Sequence, residues 1–118
     1  MYTLIIKESF DSAHFLKNYP GKCAKIHGHT WHIELEIEGE KLDEAGMLID
    51  FGEVKEIIKK NLPDHEFLNK VLPFNPTAEN LSKYFFITFQ EIFSNKPFKI
   101  KSVTLWESNT CGCSYSIS

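Results

Sequence analysis

The chain reads as an α+β protein in which two helices cover one face of a four-stranded antiparallel sheet, in the order β-β-α-α-β-β. Three observations predict this. Residues 30–38 (TWHIELEIE) alternate cleanly, with Trp31, Ile33, Leu35 and Ile37 on one face and His32, Glu34, Glu36 and Glu38 on the other, the pattern of a half-buried strand. Two capped segments with helical periodicity follow one another in mid-chain. Strand-like segments lie on both sides of them, which favours helices segregated to one face of an antiparallel sheet.

Each element has its own signal. Residues 2–11 (YTLIIKESFD) are rich in β-branched and aromatic residues and read as the first strand. A long irregular stretch, 12–29, follows and contains the turn signal Tyr19-Pro20-Gly21. After the alternating strand, Gly39 to Leu48 is a connection. Asp50 then caps a helix, with Glu53 in the capping-box position and an apolar stripe of Phe51, Val54, Ile57 and Ile58. Pro63 stops it. Thr77 caps a second helix running to about Ser94, with the stripe Leu81, Tyr84, Phe85, Thr88, Phe89 and Ile92. Residues 99–107 and 113–118 make the third and fourth strands. No repeat, low-complexity tract or linker interrupts 1–118, which reads as one domain.

Composition narrows the function. At 118 residues, with 42% hydrophobic and 25% charged side chains and ten phenylalanines, the chain has material for a packed core. No apolar run is long enough to span a bilayer and no basic-then-apolar leader precedes the first strand, so a cytoplasmic location without membrane attachment is expected. The net charge of −3 argues against a nucleic-acid surface. All 13 basic residues are lysine, so a phosphate-bearing ligand would be held by point charges or backbone N–H groups rather than a bidentate guanidinium. Lys17, Lys22 and Lys25 are candidates, or are ordinary solubilising residues.

The chemistry concentrates in Cys23-x-x-x-His27-Gly28-His29, with His14 upstream. In an extended segment residues two apart point the same way, so His27 and His29 project together and Gly28 leaves open space between them. Three neutral imidazoles are a normal zinc set that keeps a further position for water or substrate. His32 falls on the charged face, out of step with this pair. Glu107 shares a face with Val103 and Leu105; it either reaches water at the strand end or accepts hydrogen bonds from a ligand with paired N–H donors. Asp64-His65 is either a proton-transfer unit or a pair of surface-loop residues. Three cysteines in a small chain do not suggest a disulfide framework. Cys111 and Cys113 could bind metal or oxidise, or serve as small apolar residues at the start of a strand.

Taken in order, Phe10…Ala13-His14, Cys23-x3-His27-Gly28-His29, Gly46-Met47-Leu48-Ile49-Asp50-Phe51, Asp64-His65…Leu68-Asn69, Pro76-Thr77-Ala78-Glu79-Asn80 and Trp106-Glu107 resemble the 6-pyruvoyl-tetrahydropterin synthase family over the whole chain. The three-residue gap between Cys23 and His27 is more similar to its 6-carboxy-tetrahydropterin synthase branch, of queuosine biosynthesis. The resemblance implies a tunnelling fold (T-fold), with subunits joined edge to edge into barrels as a homohexamer, a dimer of trimers, and an active site at a subunit interface. It implies that His14, His27 and His29 bind zinc, that Cys23 is a base or proton donor with Asp64 and His65 as the second proton-transfer group, and that Glu107 anchors the pterin with help from Thr77. The implied substrate is the small molecule 7,8-dihydroneopterin triphosphate, and the implied products are 6-carboxy-5,6,7,8-tetrahydropterin, acetaldehyde and triphosphate.

Two departures from the family pattern stand out: Pro63 directly before Asp64-His65, and the pair Cys111 and Cys113. Other readings remain open: a lyase on the same scaffold making 6-pyruvoyl-tetrahydropterin or a 6-hydroxymethyl pterin for folate, a non-catalytic pterin- or zinc-binding module, and a zinc hydrolase with His65 or Glu107 as base.

Overall fold

A computed structural model describes residues 1–117. Its dominant feature is a long antiparallel hairpin of β1 (Tyr2–His14) and β2 (His27–Gly39), paired in unbroken register from Tyr2↔Gly39 to His14↔His27. Thirteen residues at about 3.4 Å each make a ribbon about 44 Å long, which accounts for the 53 Å long axis of the molecule. β4 (Lys99–Trp106) pairs antiparallel with β2, with a register shift at Glu36/Ile37, and β5 (Gly112–Tyr115) pairs antiparallel with β4.

The sheet corrects the four-stranded antiparallel expectation. It has five strands in the order β3-β1-β2-β4-β5, and β3 (Glu66–Phe67) lies parallel to Ser12 and Ala13 of β1. A two-residue strand has no periodicity to detect, and its pairing is made by tertiary placement rather than by propensity. Among the described residues the α-helices are three, not two: α1 (Phe51–Lys60), the single turn α2 (Leu68–Val71) and α3 (Ala78–Ile92). Both predicted N-caps form, Asp50 accepting from the Glu53 amide at 2.9 Å and Thr77 from the Asn80 amide at 3.1 Å. Phe51 departs from the predicted stripe of α1. It stands at the first helical position, ahead of the turn that touches the sheet, and is exposed, whereas Val54 and Ile58 are buried.

Packing follows the alternation. Trp31, Ile33, Leu35 and Ile37 are fully buried and join Val103 and Leu105 of β4 beneath Leu81, Phe85 and Phe89 of α3. Phe10 links this core to the functional end of the hairpin, stacking on Trp31 at 6.1 Å and meeting Phe85 edge-on at 5.7 Å. The predicted irregular stretch 12–29 shrinks to residues 15–26, because β1 and β2 each run on by three residues. That extension matters for function: it places His14, His27 and His29 on paired strands instead of on a loop.

Candidate metal centre and proton-transfer dyad

His14 and His27 are directly opposite in the hairpin register, and His29 is opposite Ser12. Directly paired residues share a face, so all three imidazoles project to the side that carries Trp31. They converge there. His14 Nε2 lies 3.0 Å from His27 Nε2. Glu107, one residue beyond β4, brings Oε1 to 3.0 Å from His29 Nε2 and 3.4 Å from His14 Nε2. The four ligand atoms all lie within 4.8 Å of one another. Donors about 2.0–2.1 Å from a tetrahedral zinc would be about 3.3 Å apart, so the spacing suits one small cation.

The surroundings fit a metal as well. Two rings are fixed by the nitrogen facing away from the cluster: His14 Nδ1 meets the Pro76 carbonyl at 2.8 Å and His27 Nδ1 the Lys25 carbonyl at 2.7 Å. A carbonyl can only accept, so each Nδ1 carries the proton and each Nε2 presents a lone pair to its neighbour, the arrangement that second-shell carbonyls impose on metal-bound histidines. Two lone pairs 3.0 Å apart repel unless a cation lies between them. His29 Nε2 is buried without a well-directed hydrogen bond, although Glu107 Oε1 is at ion-pair distance. Burial lowers the pKa of His14 against the raising effect of the Pro76 carbonyl, and burial likewise lowers that of His29 against Glu107. Both rings are therefore biased to the neutral form that can bind metal.

Asp64 and His65 form a separate cluster with Asp11. They occupy the turn between α1 and β3. Asp64 Oδ1 accepts the Asp11 amide at 2.8 Å, the His65 amide donates to the Asp11 carbonyl at 2.6 Å, and His65 Nδ1 lies 2.9 Å from Asp64 Oδ2. The His65 backbone is left-handed, with φ of 56°. The Asp11 amide, then the His65 ring, hold the Asp64 carboxyl below its ordinary pKa; hydrogen bonding to Asp64, then its charge, raises that of His65. Both side chains are solvent-accessible, beside an open depression of about 520 Å³ lined by Asp11, Ala13, Gly28, Thr30, His65 and Glu66 among others. A Cβ at Gly28 would meet nothing within 4 Å, in accord with the open space predicted there.

The remaining candidates are placed as follows. Cys23 sits half-buried in a one-turn 3-10 helix, Lys22–Ala24, with a free thiol; its sulfur is not among the atoms gathered with the histidines. Thr77 caps α3 next to Pro76, the residue whose carbonyl orients His14. Cys111 and Cys113 are free thiols, and Cys113 meets the Ser82 hydroxyl at 3.5 Å. Sequence reasoning missed the contact of Glu107 with the histidines, the Pro76 and Lys25 carbonyls, and the hydrogen bonds of the Asp11 backbone to Asp64 and His65. It also missed Asn69, whose Oδ1 accepts the N–H of Phe15 (2.8 Å) and whose Nδ2 donates to the Phe15 carbonyl (3.0 Å), fixing the chain one residue beyond His14. Carbonyl partners have no signature in residue type; Asn69 was visible only as part of the Leu68-Asn69 motif.

The chain and its fold are similar to known proteins. The family model for 6-pyruvoyl tetrahydropterin synthase matches residues 3–118. The chain is 31% identical to a 6-carboxy-5,6,7,8-tetrahydropterin synthase from Haemophilus influenzae, across 98% of this chain and 99% of that one. It is 36% identical to a dihydroneopterin monophosphate aldolase from Pyrococcus furiosus, across 92% of each. The solved 6-pyruvoyl tetrahydropterin synthase of Caenorhabditis elegans superposes with a TM-score of 0.86 at 27% identity, covering 99% of this chain and 96% of that one. With the family model spanning nearly the whole sequence, the chain belongs to the 6-pyruvoyl tetrahydropterin synthase family.

Proposed function

We propose that this protein is a zinc-dependent carbon–carbon lyase that converts 7,8-dihydroneopterin triphosphate and water to 6-carboxy-5,6,7,8-tetrahydropterin, acetaldehyde and triphosphate, a step of queuosine biosynthesis. Water is required by balance: the two side-chain hydroxyls carry two oxygens, whereas the carboxylate and the aldehyde together carry three. The observation that carries the reading is the convergence of His14, His27, His29 and Glu107 in a family member whose near-full-length relatives include a 6-carboxy-tetrahydropterin synthase.

Zinc bound to the three imidazoles would supply a Lewis acid for the substrate's side-chain hydroxyls. The protein's own residues do the rest. The Glu107 carboxylate accepts the pterin's paired N–H groups, with Thr77 assisting. Cys23 acts as the base that takes a proton from the side chain. His65, whose pKa the Asp64 hydrogen bond and charge raise, delivers a proton from Nε2 to the other side of the substrate. The reading includes a site completed by a neighbouring subunit in a homo-oligomer such as the hexamer.

Cys23→Ala and His27→Ala test this assignment together. Cys23→Ala is expected to keep zinc and lose turnover, and His27→Ala to lose both. Full turnover in Cys23→Ala would sink the assigned mechanism. A second reading is favoured by the 36% identity to the aldolase: release of a 6-hydroxymethyl pterin for folate from the same scaffold.

A further inference from the structure

We propose that Ser12 is a positioning residue that sets the Asp64-His65 dyad, through a single buried hydroxyl that grips the turn on both sides. The inference rests on the proton-transfer role given to that dyad above.

Ser12 is 6% exposed, on the strand between Asp11 and the buried His14. Its hydroxyl donates to the carbonyl of Pro63, the residue before Asp64, and accepts the amide of Glu66, the residue after His65, at 3.3 Å. The backbone of Asp11 fills the space between, taking the His65 amide and giving its own amide to Asp64. Four consecutive residues, 63 to 66, are thus fastened to two residues of β1. Such fastening has a purpose here. His65 is a non-glycine residue at φ of 56°, and a left-handed backbone at such a residue persists only where its surroundings over-determine it. Pro63 adds a fixed φ and removes one amide from the turn, leaving its carbonyl as the group that Ser12 can hold.

The same strand carries the metal centre. Ser12 is opposite His29 in the register, and His14 is two residues on. One hydroxyl therefore ties the dyad to the strand pair that bears the histidines. Removing it frees the turn to relax toward an ordinary backbone conformation, carrying the His65 ring away from its working orientation. The charged groups around that ring are Asp64 in its own turn, Asp11 from β1 and Glu66 from β3.

The test uses the zinc-loaded full chain with Ser12→Ala, and with Ser12→Cys in case the alanine variant does not fold. Three quantities are read: zinc content, kcat and KM on 7,8-dihydroneopterin triphosphate, and the NMR titration of the His65 ring, assigned by its loss in His65→Ala. The expected result is unchanged zinc, KM within about twofold, kcat lower by about tenfold or more, a His65 titration moved toward the ordinary histidine value, and recovery in Ser12→Thr. A His65 titration unmoved in both variants overturns the proposal, whatever happens to kcat. Full turnover in His65→Ala would instead overturn the proton-transfer reading on which it rests, and the titration would still show whether Ser12 sets the ring.

Discussion

Glu107 offers the sharpest prediction, because two chemical roles meet on one carboxylate. Its Oε1 lies 3.0 Å from His29 Nε2 and 3.4 Å from His14 Nε2, close enough to be a fourth metal ligand. In the proposed mechanism this carboxylate serves the pterin instead. Glu107→Gln keeps the shape, removes the charge and turns one acceptor into a donor that faces the pterin's own donors. Loss of one hydrogen bond to a charged group costs about 1.5–3 kcal/mol, which is about 10- to 150-fold in affinity. The three imidazoles, two already oriented by the Pro76 and Lys25 carbonyls, remain to hold zinc. Zinc content after dialysis and binding of neopterin to the zinc-loaded protein, by calorimetry, separate the roles. The expected result is near-stoichiometric zinc with pterin binding weaker by that factor. Zinc falling to the level of His27→Ala, with neopterin affinity unchanged in the fraction that stays loaded, would refute the assignment and make Glu107 a ligand.

The remaining predictions concern the dyad and the core. Asp64→Asn removes the carboxylate that raises the His65 pKa, so a plot of kcat against pH should lose its alkaline limb at lower pH than the wild type; an unmoved limb would separate His65 from the proton transfer. For stability the two groups act in opposite directions. The raised pKa of His65 stabilises the fold below about 6.5 and the effect is lost as pH rises through the folded value, whereas the lowered pKa of Asp64 stabilises above 3.8 and is lost as pH falls through its folded value. Denaturant titrations of Asp64→Asn should therefore differ most from the wild type between those limits. Phe85 is fully buried against Phe10, Tyr84 and Phe89. Phe85→Ala should cost about 3–5 kcal/mol in urea unfolding; a loss below about 1 kcal/mol would mean that the helix α3 does not depend on this core.

How far the sequence could be read varies with the range of the interaction. The alternation of Trp31 to Ile37 and the caps at Asp50 and Thr77 are local, and each forms as expected. So is the shared face of His27 and His29, which follows from strand period alone. The extension of β1 to His14 and of β2 back to His27 was hidden because histidine, glycine and alanine are weak strand formers; pairing across the hairpin supplies what propensity does not. β3 and its parallel contact with Ser12 and Ala13 were illegible for the same reason, and with them the grip of β1 on the dyad. Glu107 was recognised as a carboxylate on an apolar face, yet its nearness to the histidines depends on β2 and β4 being neighbours in the sheet, which spacing along the chain does not reveal.

The central claim is the reaction itself, and mass-spectrometric product analysis tests it most directly. The zinc-loaded protein incubated with 7,8-dihydroneopterin triphosphate is expected to yield 6-carboxy-5,6,7,8-tetrahydropterin, with acetaldehyde and triphosphate in equal amounts. A 6-hydroxymethyl or 6-pyruvoyl pterin in its place, or bound substrate recovered unchanged, would contradict the account.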